Sequence, residues 1–237
     1  MTAPDTATSA SMPVEAVTYN VHRCVGGDGA FDPERCVRVL LEMAPQIVAL
    51  QEVDARRTEA RTHVHQFTYF AERLEMAAVP GPTLVDERGP FRNALFTSLE
   101  VVSIAHRDLS VWRRAPRAAI DVVLGAGASR LRVIVTHLGL RAAERRSQMH
   151  PLIHWLDEHP RLATLMMGDF NEWRPRARLM RPLARRLTRV TAGAWFPARR
   201  RLLPLDQIRL RPASSLLEAS VHVRECGARN PRTSGRR

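Results

Sequence analysis

Apolar residues in this chain come in short runs, separated by stretches of helical periodicity and by Pro and Gly punctuation. Val14 to Asn20 reads as a strand. Ile47 to Gln51 and Ala163 to Met167 are nearly continuous apolar runs, the signature of strands buried on both faces. Phe67 to Phe70, Met76 to Val79, Phe91 to Thr97 and Glu100 to His106 give further strands. Arg117 to Leu124 and Leu131 to His137 predict a hairpin across Gly125-Ala126-Gly127-Ala128. Asp32-Pro33 opens a helix through Glu42, with Asp at the N-cap and Pro at the first position. Ala142 to Glu158 predicts an amphipathic helix with Met149, Ile153 and Leu156 on one face. Leu205 to Leu210 and Leu216 to Val223 complete the set as late strands. Many short strands with few helices predict an α/β domain of two packed sheets with helices outside. Polar residues recur where the strands end: Asn20, Glu52, His137, Asp169 and Asp206. Rigid strands deliver side chains into loops at such ends, which makes them candidates for a site.

The length of 237 residues suits one generous domain, and no repeat or low-complexity linker divides it. Hydrophobic residues at 45% and charged residues at 25% describe an ordinary globular protein. No apolar run approaches the ~20 residues of a membrane-spanning helix. The N-terminal stretch has no basic region followed by an apolar one, so residues 1–12 read as a disordered lead and the cytoplasm as the compartment. Three cysteines, Cys24, Cys36 and Cys226, show no Cys-x-x-Cys spacing, which argues against a disulfide framework or a zinc site. The net charge of +12 suits an anionic partner such as nucleic acid or a lipid surface. The chain has arginine and no lysine, as a GC-rich coding bias would also produce, so charge supports an anionic substrate without selecting DNA.

Hydrolysis of a phosphate ester needs a cation to neutralise phosphate, a base to prepare water, and help for the leaving oxygen. Glu52 follows a buried strand and suits Mg²⁺, which takes one or two carboxylates and keeps several waters. Asp169 follows another such strand and can orient or deprotonate water. Asn20 and Asn171 can donate to phosphate oxygens, and His137 can donate to phosphate or protonate a leaving group. Taken singly, a carboxylate after a strand is more often a solvated cap, a lone His more often structural, and Asn93 more often a turn residue.

Order and local wording change those odds. Tyr-Asn-Val-His (19–22), Leu-Gln-Glu-Val (50–53), Asn-Ala-Leu-Phe-Thr-Ser (93–98), Thr-His-Leu (136–138), Gly-Asp-Phe-Asn (168–171) and Leu-Asp-Gln-Ile (205–208) follow one another. This series resembles the successive motifs of the endonuclease/exonuclease/phosphatase superfamily, over about residues 14 to 210. The resemblance implies a four-layer α/β/β/α sandwich of two mixed sheets (DNase I-like) with the site at one sheet edge. It implies Glu52 as a Mg²⁺ ligand, with Mn²⁺ as a substitute, and Asn20 beside it in the metal and phosphate pocket. Asp169 is similar to the aspartate that aligns the attacking water, and Asn171 to the asparagine that steadies the transferred phosphoryl group. His137 resembles a phosphate-contacting histidine, Asp206 the family's penultimate aspartate, and Arg117 an arginine that opens a central strand. Asn93 falls in the phosphate pocket on the same reasoning.

The sequence departs from the family at its end. Members close with Ser-Asp-His and a short apolar strand, whereas the residues after Val223 are polar and rich in Gly, Pro and Arg. The domain is therefore expected over 13–223 without its closing strand, followed by a disordered basic tail over 224–237. His222 lies inside an alternating pattern and precedes the expected position of that histidine. Two readings follow from the resemblance. One is a Mg²⁺-dependent phosphodiesterase acting on nucleic acid or a phospholipid head group, impaired by the missing motif. The other is a non-catalytic module binding a phosphate ligand or nucleic acid on the same fold.

Overall fold

The computed structural model describes residues 13–54, 65–81, 84–86, 89–127, 129–172, 174, 177–190 and 205–220. The described elements run β1 (Ala16–Asn20), α1 (Pro33–Met43), β2 (Ile47–Asp54), α2 (Gln66–Leu74), β3 (Ala77–Pro80), β4 (Leu84–Asp86), β5 (Gly89–Thr97) and β6 (Glu100–Asp108). They continue with β7 (Ala118–Ala126), β8 (Ser129–His137), α3 (Ala142–Glu158), β9 (Ala163–Asp169), α4 (Arg181–Ala184), β10 (Thr188–Arg189) and β11 (Asp206–Arg211). Two mixed sheets result. One orders β1-β2-β5-β3, with β4 also on β5; the other orders β10-β11-β9-β8-β7-β6.

Alternating side chains explain why the central strands read as unbroken apolar runs: both faces of β2, β7, β8 and β9 are covered, whereas the edge strand β6 is largely exposed. In β2, Ile47 and Ala49 turn inward with Leu95 to meet Ile120, Val122, Val133, Val135 and Met167 of the second sheet. Val48 and Leu50 turn outward with Phe96 to meet Val37, Leu40, Phe70 and Leu74 of α1 and α2. On the far side, Ala119, Ile134 and Met166 face Met149, Leu152 and Leu156 of α3 and Leu183 of α4. The layers are therefore α/β/β/α. Each fully buried aliphatic or aromatic side chain contributes roughly 1.5–3 kcal/mol relative to exposure. A buried ion pair adds orientation: Arg132 donates to both oxygens of Asp121 at 2.8 and 2.6 Å and to the Trp155 carbonyl at 2.9 Å, tying α3 to the sheet.

The helix start at Asp32 is as expected, its side chain accepting from Arg35 N at 3.1 Å with Pro33 at the first position. Two expectations are corrected. Phe67 to Phe70 lies in helix α2, because burial falls on Gln66, Phe70 and Leu74, a spacing of four that the aromatic residues obscure. The late strand expected from Leu216 does not form over its described part: residues 216–220 join no ladder, and Leu217 is 80% exposed. Val221 to Val223 and the expected basic tail lie outside the described residues, as do residues 1–12 and Cys226. The hairpin turn is tighter than expected, since Ala126 pairs with Ser129 and Gly127 takes φ +60°.

Candidate active site

Strand direction gathers the chemistry at one edge. Parallel β8 and β9 deliver their last residues there, and antiparallel β11 delivers its first, so His137, Asp169 and Asp206 sit in one register row. Adjacent strands lie about 4.8 Å apart, which sets the spacing of that row. The first sheet brings the ends of parallel β1 and β2 to the same place. A bulge between Leu50 and Val53 puts Gln51 and Glu52 opposite the single residue Asn93, and Glu52 adopts φ +59°. Left-handed backbone at a non-glycine residue costs on the order of 1–3 kcal/mol and recurs at functional sites. Asn171, two residues past β9, is left-handed too, at φ +48°. Gly168 makes the row possible: at φ +140° its Cβ position lies 1.8 Å from the Thr136 carbonyl oxygen, where no side chain fits.

Asn20 joins the two sheets. Its Nδ2 donates to Glu52 Oε1 at 3.2 Å and Asp169 Oδ2 at 3.3 Å, while its Oδ1 accepts from His22 N at 3.0 Å. Asp169 Oδ1 accepts from Asn171 N at 2.8 Å, and His137 Nε2 stands 3.7 Å from Asp169 Oδ2. Asn171 Nδ2 donates to the Leu138 carbonyl at 2.8 Å, and Asn93 Nδ2 to the Ala118 carbonyl at 3.3 Å. Each amide keeps a second hydrogen for another acceptor. Behind the site, Gln148 accepts from Gly139 N and donates to Leu109 O, holding the loops after β8 and β6 together. Buried Arg145 pairs with Glu172 at 2.9 Å and caps the carbonyls of Gly139 and Leu140.

The electrostatics are uneven. Burial alone would raise the Glu52 carboxyl, but His22, whose Nδ1 is 3.6 Å away, and Asn20 outweigh it and hold the group at about 2. Burial, with repulsion from Arg117, lowers His137 to about 4, so its imidazole is neutral at pH 7. Burial and the charges of Asp169 and Glu52 push Asp206 up to about 8. The Asp206 residue is part-exposed, yet its Oδ1 is enclosed with no hydrogen-bond partner among the described residues. Arg117 is lowered by burial and feels Glu144, Asp169 and Glu52; its buried Nε also lacks a partner among the described residues.

Asn20, Glu52, His137, Asp169 and Asp206 thus meet, with Asn171 bonded to the row and Arg117 within its field. Asn93 stands opposite the bulge and reaches the backbone beside Arg117, so it lines the rim. Sequence reading misses His22 as a site residue, although Tyr-Asn-Val-His contains it: it lies two residues past a strand end, and only the turn after β1 returns it to Glu52. Hydrogen bonding to Glu52 raises its imidazole against a smaller opposing effect of burial. Trp112 is 85% exposed on the turn between β6 and β7; Trp195 and Phe196 lie outside the described residues.

Hard oxygen donors and an excess of carboxylate, one oxygen of it unpartnered among the described residues, fit a divalent cation such as Mg²⁺. Among the described residues no three carboxylate, imidazole or thiolate groups enclose a metal by themselves. Mg²⁺ does not require such a cage, because it keeps most of its waters.

Residues 17–233 match the model of the endonuclease/exonuclease/phosphatase family, and the chain belongs to that family. It is 27% identical over 229 residues to the uncharacterized protein YbhP of Escherichia coli K12, covering 89% of each chain. An endonuclease/exonuclease/phosphatase from Beutenbergia cavernae DSM 12333 has the same fold, with TM-score 0.70 and 20% identity, over 84% of this chain and 64% of that one. The human Nocturnin catalytic domain with bound sulfate superposes with TM-score 0.66 at 20% identity, over 84% of this chain and 81% of the other. The mannosyl-6-phosphatase Bt3783 of Bacteroides thetaiotaomicron gives TM-score 0.67 at 14% identity, over 84% and 86%. These likenesses show the fold shared across the family. Among the described residues no helix is long and apolar enough to cross a membrane.

Proposed function

We propose that this protein is a Mg²⁺-dependent phosphodiesterase that acts on nucleic acid or a phospholipid head group, with Mn²⁺ as a substitute cation. The observation that carries this reading is the row His137, Asp169 and Asp206, joined through Asn20 to Glu52 on the opposite sheet. Glu52 would hold the metal, with Asn20 fixing its carboxylate; the bound cation would neutralise the phosphate. Asp169, aligned by Asn20 and Asn171, orients water and takes its proton. Neutral His137 donates from its ring to a phosphate oxygen, as do the second amide hydrogens of Asn171 and Asn93. Arg117 lends a permanent, desolvated positive charge to the same oxygens. Asp206 completes the carboxylate wall beside Asp169. The buried free thiol of Cys24 supports a reducing compartment such as the cytoplasm.

Hydrolysis of an activated phosphodiester, of supercoiled plasmid and of phospholipid vesicles, each with Mg²⁺ and with chelator, tests the proposal. Turnover should require the metal and fall at least ~10³-fold in Asp169→Ala. Equal turnover by that variant would sink the assignment. Mg²⁺ binding by a folded protein without any turnover would favour the non-catalytic binding module.

A further inference from the structure

Between Glu172 and Asp206 the sequence holds ten arginines and no aspartate or glutamate. Part of that segment lies against β11: β10 pairs beside it in the sheet, setting Arg189 opposite Arg209, and α4 with the turn before it borders an open pocket of about 460 Å³. Three arginines line it: Arg181, Arg189 and Arg209. Arg209 is 4% exposed; its guanidinium donates through Nε and Nη2 to one neutral acceptor, Gln207 Oε1, and stacks 5.7 Å over the Phe170 ring. Arg189 has a buried Nε without a partner among the described residues. No described carboxylate forms an ion pair with either. Burial, together with repulsion from Arg189, brings Arg209 down to about 10 and leaves it charged at neutral pH.

Buried cations are ordinarily paired, because an uncompensated one loses hydration with nothing in return. Guanidiniums supply planar, forked donors that match phosphate oxygens. We infer that this pocket is a binding site for a phosphate-type oxyanion, separate from the catalytic row. Gln207 and Arg209 project from the face of β11 opposite Ile208 and Leu210, and Arg209 lies three residues, about 10 Å, along the strand from Asp206. The ligand is free phosphate or the phosphate groups of a polymer, both recognised by the same chemistry.

The experiment is thermal unfolding in chelator, with inorganic phosphate, linear polyphosphate or a single-stranded oligonucleotide at equal phosphate concentration. Each is compared with sodium chloride of matched ionic strength. At 100-fold excess over Kd the Tm should rise roughly 5–10 °C. The rise should vanish in Arg209→Met, shrink in the more accessible Arg189→Gln, and persist in Asp169→Ala, where the catalytic row is disabled. Arg209→Met should also melt higher than wild type in chloride alone, since it removes an uncompensated charge. A larger rise with either polymer assigns the site to a polymer, and an equal rise assigns it to free phosphate. The inference is overturned if no probe raises Tm, if both arginine variants keep the full rise, or if the rise disappears in Asp169→Ala.

Discussion

The Asp206 carboxyl is the sharpest point at which this site can be probed without substrate. In the metal-free protein it is pushed up to about 8, against about 3.9 in an unfolded chain. Near neutral pH the folded state therefore holds a proton that the unfolded chain has released, and stability falls as pH rises toward 8. Linkage removes about 1–2 kcal/mol of stability between pH 6.5 and pH 8. For a chain of this size that is about 3–6 °C in Tm. Asp206→Asn keeps the shape and removes the proton. Melting both proteins in chelator at pH 6.5, 7, 7.5 and 8 should show the wild-type Tm falling more steeply than that of the variant. The comparison with wild type matters because His22, also raised, loses stability in the same direction as pH rises, and both proteins retain it. His137, lowered to about 4, has its folded-state titration below the window and is likewise common to both. Excess Mg²⁺ should flatten the wild-type slope by compensating the ionised carboxyl. A variant that keeps the full slope, or a wild type that gains stability between pH 6.5 and 8, would refute the reasoning.

Three further outcomes are expected. Gly168→Ala should lose more than about 3 kcal/mol, read as loss of cooperative unfolding by circular dichroism, because its Cβ would lie 1.8 Å from the Thr136 carbonyl oxygen. Asp121→Ala should cost about 3–5 kcal/mol in urea denaturation by stranding the buried Arg132 guanidinium, whereas Asp121→Leu combined with Arg132→Met should recover most of that loss. His22→Ala, at an accessible turn, should leave Tm nearly unchanged yet lower kcat by about 10- to 100-fold; an unchanged kcat would make His22 a bystander.

Much of the architecture was legible in the chain because it rests on local physics. The nearly continuous apolar runs of β2 and β9 and the capped start of α1 each follow from two-sided burial or capping chemistry within a few residues. The order of the six motifs sufficed to identify the family. Where local preference and burial disagreed, sequence reading failed: Phe67, Tyr69 and Phe70 favour strand, but Gln66, Phe70 and Leu74 are what the fold buries. Tertiary structure alone decided the rest. The strand directions put Asp206 in register with Asp169, and the bulge re-aimed Glu52. The turn after β1 returned His22 to the cleft, and the antiparallel pairing of β10 with β11 put Arg189 opposite Arg209 in one pocket. Each of these depends on which distant residues become neighbours and lose water, and that is the contribution a linear pattern does not carry.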